Sequence, residues 1–289
     1  MKFAWVLNLD AELELARPGY DYVPRQKLVQ QLATHGQGSR ALLGPDDTLV
    51  TPGVSVGSGF VGRAWCPTPL ALAALSASGA TPEPHPEPSV LRRVNHRRFA
   101  FEAGGGLPEQ RYFEERAPLE ALLRRAERPW LCKRPMAFAG RGQMRFYGPI
   151  SDKQWSWIDV SLAQDGLIVE PLVEPVLELG LHGFIWRDAR CELGRICVQE
   201  VTERGVFRGV RRAEPAELTA SEERSLFEQA ERVAALLSDA GYFGPFGIDA
   251  YRYEVAGKSA FCGLSEINAR YTMSFVTGFP RHPSELVLG

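Results

Sequence analysis

The sequence predicts the α/β class, and three features predict it. Through the first 80 residues short apolar runs alternate with helix-like spacing, the pattern of an open α/β unit around a parallel sheet. From Pro82 to Pro88 every second residue is proline, which forces extended backbone and forbids a helix, so a first domain of residues 1–88 ends there. Beyond it strands and helices mix, and the chain closes on a capped helix followed by two paired strands.

The elements follow in order. Residues 3–9 open with Phe3-Ala4-Trp5-Val6-Leu7, a buried strand. Residues 24–35 carry Leu28, Val29 and Leu32 at helical spacing, with Gly36 as the stop. Residues 40–43 read as a second strand, 48–50 as another edge, and 69–78 as a short apolar helix ended by Gly79. No G-x-G-x-x-G opens the first helix, so the unit is not read as a dinucleotide site. Residues 89–103 read as a helix carrying Arg92, Arg93, Arg97 and Arg98, and 119–127 as another. An apolar strand spans 129–135, a Gly-rich loop 138–144 and a strand 167–173. Residues 183–186 and 196–201 form an antiparallel pair. In 219–240, Thr219 and Glu222 make a capping box, Leu226, Ala230, Val233 and Leu237 line one face, and Gly241 ends the helix. Residues 246–253 and 260–267 are two strands joined by Gly257.

Composition narrows the function. The 289 residues are 45% hydrophobic and 24% charged, which excludes disorder as the main state. Lys+Arg 33 against Asp+Glu 35 gives a net charge of −2, unlike a dedicated nucleic-acid binder. The longest uninterrupted apolar stretch, residues 70–75, is too short to span a bilayer, and the N-terminus turns polar too soon for a signal peptide. The five cysteines include no C-x-x-C pair, which argues against a zinc site or a disulfide framework and for a cytoplasmic protein.

Three segments carry chemistry. Lys133 lies inside the apolar run Trp130-Leu131-Cys132-Lys133, where an ammonium needs an anionic partner, and Gly140 and Gly142 follow in a loop whose backbone N–H groups could approach phosphate oxygens. The other reading is an edge-strand lysine facing water beside an ordinary turn. Ile168-Val169-Glu170-Pro171-Leu172-Val173 has the form of an interdomain hinge able to pair with an adenine edge, with Glu178 as an acceptor for ribose hydroxyls; the alternative is an acidic strand end in solvent. Asp249 on one strand, and Glu266 and Asn268 two apart on the next, offer two carboxylates and an amide oxygen on one face, hard ligands suited to Mg²⁺. Arg270 continues that face, and the alternative is a hairpin with solvated polar residues.

From residue 89 to 279 the chain resembles the ATP-grasp superfamily of carboxylate–amine or carboxylate–thiol ligases. Glu266-Ile267-Asn268-Ala269-Arg270 is its most specific piece, similar to the E-x-N-x-R segment of biotin carboxylase-like enzymes, and Val94-Asn95-His96-Arg97 stands where the family often has N-x-K. The resemblance implies a Rossmann-like α/β domain of the type that precedes an ATP-grasp pair (residues 1–88), then two α+β subdomains clasping ATP: a small one with the lid (89–172) and a large one with the Mg²⁺ site (173–289). It implies that Lys133 binds the α/β-phosphates, that Arg97 or Arg98 replaces the upstream lysine, and that Gly140 and Gly142 belong to the lid. Glu170 and Val173 would frame adenine, and Glu178 the ribose. Asp249, Glu266 and Asn268 would hold one or two Mg²⁺, with Mn²⁺ as a substitute. Arg270 would face the transferred phosphate or the substrate carboxylate. The implied partners are ATP, a small-molecule or peptide carboxylate and an amine, with a second copy in a homodimer as a further expectation; the composition speaks against nucleic acid and membrane. The implied reaction passes through an acylphosphate and releases ADP and phosphate. The alternatives are a kinase of the same superfamily or a nucleotide-binding protein without ligase activity. Gly247 departs from D-alanine–D-alanine ligase, which has an arginine two positions before the acidic ligand.

Overall fold

The computed structural model describes residues 1–17, 22–23, 36–125, 128–137, 141–201 and 207–288. The helix expected over 24–35 lies outside them. The N-terminal layer is a four-stranded parallel sheet in the order β2-β1-β3-β4, with β1 Phe3–Val6, β2 Thr48–Leu49, β3 Val61–Ala64 and β4 Thr81–Pro82. Helix α1 (Ala11–Leu15) follows β1, and α2 (Pro69–Ser78) links β3 to β4, with Gly79 in the left-handed conformation at its C-cap. Two readings change here. Residues 40–43 fall largely in a 3₁₀ turn, Gly36–Leu42, and the proline run begins inside the sheet as β4 rather than wholly beyond it. The run ends at Pro88, the first residue of α3 (Pro88–Asn95), where a missing N–H costs nothing.

The helix expected over 89–103 is two helices, α3 and α4 (Arg97–Glu102). The break is His96, whose extended backbone lets its Nδ1 accept from the Arg98 N–H and cap α4. Asn95 anchors the pair to the far end of the chain. Its Nδ2 donates to the Ala269 carbonyl at 3.3 Å, and its Oδ1 accepts from the Ala269 N–H at 2.9 Å.

A four-stranded antiparallel sheet, β5-β8-β6-β7, is built from β5 Arg111–Phe113, β6 Trp130–Lys133, β7 Gln143–Phe146 and β8 Leu167–Pro171. One face carries Phe113, Trp130, Cys132, Phe146, Leu167 and Val169, packed with α5 (Arg116–Arg124) and α6 (Asp152–Asp165) into a core of its own. The other face carries Leu131, Lys133, Ile168 and Glu170, paired across β6 and β8.

The second antiparallel sheet runs β12-β11-β9-β13-β14, with β10 also on β9. Its strands are β9 Pro175–Ile185, β10 Cys191–Leu193, β11 Cys197–Val201, β12 Phe207–Arg212, β13 Gly244–Val255 and β14 Lys258–Asn268. Residues 183–185 pair with β10, and β11 pairs with an earlier part of β9 (Cys197 opposite Gly180), so the expected partner of 183–186 is corrected. The β13–β14 hairpin forms as read, closed by Ala256 and Gly257, both at positive φ. The core of this sheet is continuous with the N-terminal layer: Phe3, Trp5 and Leu91 join Leu181, Phe246, Ile248, Leu226 and Val233.

Helix α7 (Ala220–Asp239) has the capping box expected of Thr219 and Glu222. Arg252 of β13 donates to both Glu222 oxygens at 2.7 Å, and these bonds hold the Glu222 carboxyl down at about 2. With a folded pKa below the ordinary 4.5, the stabilisation is complete above that value and is lost as pH falls from about 4.5 towards about 2. Glu222→Gln should cost roughly 1–2 kcal/mol at pH 7 in urea unfolding, with more than half of the deficit gone at pH 3. An equal deficit at both pH values would show that the charge is not its source.

Candidate active site

The hairpin β13–β14 supplies the acids. Asp249 stands directly opposite Glu266, and Asn268 opposite Gly247, so the three share one face. Asn268 donates through Nδ2 to Asp249 Oδ2 at 2.9 Å, and Gln199 of β11 donates to Asp249 Oδ1 at 2.9 Å. Burial, together with the neighbouring Glu266 carboxylate, pushes the Asp249 carboxyl up to about 7, against the pull of those two hydrogen bonds. Two carboxylates crowded at that cost fit a divalent cation. Among the described residues no group of three His, Cys, Asp or Glu side chains could hold a metal on its own. Asp249 and Glu266 are the two carboxylates here that could hold a cation such as Mg²⁺, which keeps waters and substrate phosphates as its remaining ligands, whereas the Asn268 amide turns its NH₂ to Asp249 and its oxygen to Arg270 Nη2.

Arg97 joins the acids to the facing sheet. It is 7% exposed, and it donates to Glu266 Oε1 at 2.9 Å and to the Arg134 carbonyl at 2.6 Å, just beyond β6. Of the two arginines considered, Arg97 is the one beside Glu266. Arg98 is exposed, pairs with Glu102 and Glu114, and lies over the Tyr112 ring.

Lys133 has its anionic partner within the chain: Nζ lies 2.5 Å from Glu170 Oε1, and Glu170 is 4% exposed. A half-buried lysine in β6 thus does not by itself demand phosphate. Glu170 also raises the Tyr251 hydroxyl of β13, after burial as the main cause, so the two sheets face each other closely enough to interact. Val173 packs beside Leu107, Tyr253 and Cys262 where the chain passes from β8 to β9. Glu178 on β9 lies opposite Gln199 and Tyr251, and burial raises its carboxyl. Gly140 lies outside the described residues. Gly142 has φ +66°, and its carbonyl accepts from the Arg134 N–H at 2.8 Å. A side chain there would come within 2.8 Å of the Ala137 Cβ, so the stem of this loop requires glycine.

Arg270, expected to face the transferred phosphate or the substrate carboxylate, is engaged within the chain. Its guanidinium turns to the N-terminal layer: Nε donates to Glu12 Oε1 at 2.5 Å, Nη1 to the Tyr271 carbonyl at 3.0 Å and Nη2 to Asn268 Oδ1 at 2.8 Å, with the Trp65 ring centroid 5.4 Å away. Glu12, Trp65 and Gln199 are the site neighbours that sequence reasoning missed. No spacing marks them, since Gln199 reaches Asp249, and Glu12 and Trp65 reach Arg270, only through tertiary packing.

Two facing antiparallel sheets behind a parallel N-terminal layer give the chain a fold like that of the ATP-grasp ligases. No family model and no curated protein matches the sequence. Solved structures match over nearly the whole chain. D-alanyl-alanine synthetase A from Vibrio cholerae aligns at TM-score 0.59 and 13% identity, over 98% of this chain and 93% of that one. N5-carboxyaminoimidazole synthetase from Staphylococcus aureus, complexed with ADP, aligns at TM-score 0.54 and 11% identity, over 94% and 72%. Carboxyaminoimidazole ribonucleotide synthase from Aspergillus clavatus, complexed with ATP, aligns at TM-score 0.53 and 18% identity, over 94% and 70%. Among the described residues no helix is long and apolar enough to cross a membrane.

Proposed function

We propose that this chain is an ATP-dependent carboxylate–amine ligase that activates a carboxylate as an acylphosphate and releases ADP and phosphate. One observation carries the reading: Asp249 and Glu266 sit side by side on the hairpin, with Arg97 spanning from them to the strand that bears Lys133. The fold neighbours named as synthetases and complexed with ADP or ATP support it.

In this reading Asp249 and Glu266 would hold Mg²⁺, the Asn268 oxygen could join them only beside the bond it accepts from Arg270 Nη2, and the ion when bound would neutralise charge on the transferred phosphoryl group. Arg97 and Lys133 supply fixed positive charge on the two walls of the cleft, so little reorganisation is needed as charge shifts in the transition state. Lys133 is shared between Glu170 and the nucleotide phosphates. Glu178, whose carboxyl is raised by burial, accepts from the ribose hydroxyls. The loop closed at Gly142 excludes water, which would otherwise hydrolyse the acylphosphate. The setting is cytoplasmic.

The test is a thermal-unfolding scan with ATP and Mg²⁺ separately and together, followed by ADP release across a panel of carboxylic acids and amines. At about 100 times its dissociation constant a ligand stabilises by about 2.7 kcal/mol, so ATP with Mg²⁺ should raise Tm by several degrees and ATP alone by less. The absence of any shift would sink the reading.

Lys133→Met separates structure from function. It should weaken ATP affinity and also destabilise the fold, because Glu170 is left buried without its cation. Adding Glu170→Gln should restore Tm without restoring ATP affinity. Recovery of both would remove Lys133 from the nucleotide site.

A further inference from the structure

One row of paired residues crosses the face of the large sheet that carries the acids. In register from strand to strand it reads Glu266 (β14), Asp249 (β13), Gly180 (β9), Cys197 (β11) and Arg212 (β12). Residues directly opposite in an antiparallel ladder project from the same face. Two carboxylates therefore stand at one end of the row and a guanidinium at the other. Asp249 and Arg212 are separated by three strand spacings, about 14 Å of backbone.

The stretch between them is low and uncharged. Gly180 has no side chain, and the Gln199 amide passes over it to donate to Asp249: a Cβ on Gly180 would lie 3.6 Å from Gln199 Nε2 and 3.8 Å from Asp249 Oδ1. Cys197 is fully buried, and burial pushes its thiol up to about 11 against the pull of the Arg212 charge. His182, the next residue of β9 on this face, is neutral at pH 7, because burial lowers its imidazole to about 4. Helix α8 (Phe275–Gly278) runs along one flank of the row. Phe275 meets the His182 ring edge-on, and a Cβ on Gly278 would lie 2.8 Å from His182 Nδ1 and 2.9 Å from Cys197 Sγ.

Arg212 is held in place by a group that does not neutralise it. Its Nε donates to the Thr277 carbonyl of α8 at 3.0 Å. Arg211, one residue earlier, projects from the opposite face and pairs with Glu217 at 2.5 Å and Glu200 at 3.4 Å. Arg212 is exposed, and its planar fork of donors matches the geometry of a carboxylate or a phosphate.

We propose that Arg212 is a specificity-determining residue that receives a second anionic group of the acid substrate, so that the enzyme acts on an acid bearing a further carboxylate or a phosphate. This rests on the ligase reading above. The carboxylate to be activated lies at the Asp249–Glu266 end, the neutral floor of Gln199 over Gly180 carries the middle of the molecule, and the row fixes the distance to its other anion.

The test uses the full chain with ATP and Mg²⁺ and reads ADP release together with hydroxamate formed when hydroxylamine traps the acylphosphate. The probes are straight-chain dicarboxylic acids from malonate to suberate, monocarboxylic acids of the same lengths, and the corresponding phosphono-carboxylic acids. A dianionic acid of intermediate length should exceed its monocarboxylate counterpart by about tenfold or more in kcat/KM. Whether the dicarboxylic or the phosphono series responds identifies the second group. Arg212→Gln should abolish the preference, mainly through the KM of the acid, and should retain the rise in Tm given by ATP with Mg²⁺. Arg212→Lys keeps the charge without the fork and should retain part of the preference. An Arg212 that only ties α8 through Thr277 would, when replaced by Gln, lower Tm and change all acids alike, and that result overturns the inference. It is overturned as well by equal use of both kinds of acid, or by a wild type that binds ATP with Mg²⁺ and uses no acid of the panel. A wild type that does not bind ATP with Mg²⁺ would refute the ligase reading itself.

Discussion

Replacing Glu266 with Gln is expected to lower Mg²⁺-dependent ADP release by about 10²–10³-fold, the scale of removing one pre-organised electrostatic group from a transition state, while the protein stays folded. The choice of Gln matters because Glu266 has two neighbours with opposite needs. Arg97, 7% exposed, takes Glu266 Oε1 at 2.9 Å as its carboxylate partner, and a carbonyl oxygen in the same position still accepts that bond. Asp249 stands directly across the strands and would hold the other half of the proposed cation site. Glu266→Gln therefore removes the charge that a divalent cation needs and spares the hydrogen bond that Arg97 needs. Glu266→Ala removes both. An arginine left buried without its anion costs about 3–5 kcal/mol, so the Ala variant should lose stability along with activity and cannot separate the two. The check is steady-state ADP release beside a thermal scan for each variant. Wild-type turnover in a folded Gln variant would remove Glu266 from the cation site.

How much of this was legible depended on the range of the interaction. The capping box of Thr219 and Glu222 and the β13–β14 hairpin are local patterns, and both formed as read. Strand β3 was missed because Val61-Gly62-Arg63-Ala64 has no β signature; it is a strand because parallel neighbours β1 and β4 pair with it on either side. The apolar run at 40–43 looked like a strand and has no such partner, so it closes as a 3₁₀ turn. Helix α6 was missed although Ser151 and Gln154 form a capping box, since its apolar residues do not keep to one face: Ile158 is buried and Val160 is 51% exposed. The shared face of Glu266 and Asn268 was readable because the two are two apart on a strand. The direction of Arg270 was not, because its anion, Glu12, lies 258 residues earlier in the chain. Lys133 was correctly seen to need an anion, but the residue meeting that need was Glu170, which the hinge reading had assigned to adenine.

The largest expected loss of stability lies away from the cleft, at Arg63. This arginine is 1% exposed in β3, with its guanidinium 3.9 Å from the centroid of the Phe3 ring. It donates to both oxygens of Glu83 at 2.7 Å, to the Pro283 carbonyl at 2.5 Å and to the Leu286 carbonyl at 2.7 Å. One side chain thus ties the parallel sheet to the proline run that leaves it and to the C-terminal segment. Arg63→Met preserves most of the volume and should destabilise by about 3–5 kcal/mol, since it strands a carboxylate and two carbonyls at once. In a chain of this size that is a fall in Tm on the order of 10 °C. Adding Glu83→Gln should return part of the loss, because the stranded charge is removed, and should not return all of it, because the two carbonyls still lack a donor. Urea unfolding of the three proteins checks this. A single variant within about 1 kcal/mol of wild type would mean that water replaces the guanidinium freely, which a side chain so deeply enclosed by Phe3, Trp5 and the C-terminal segment should not allow.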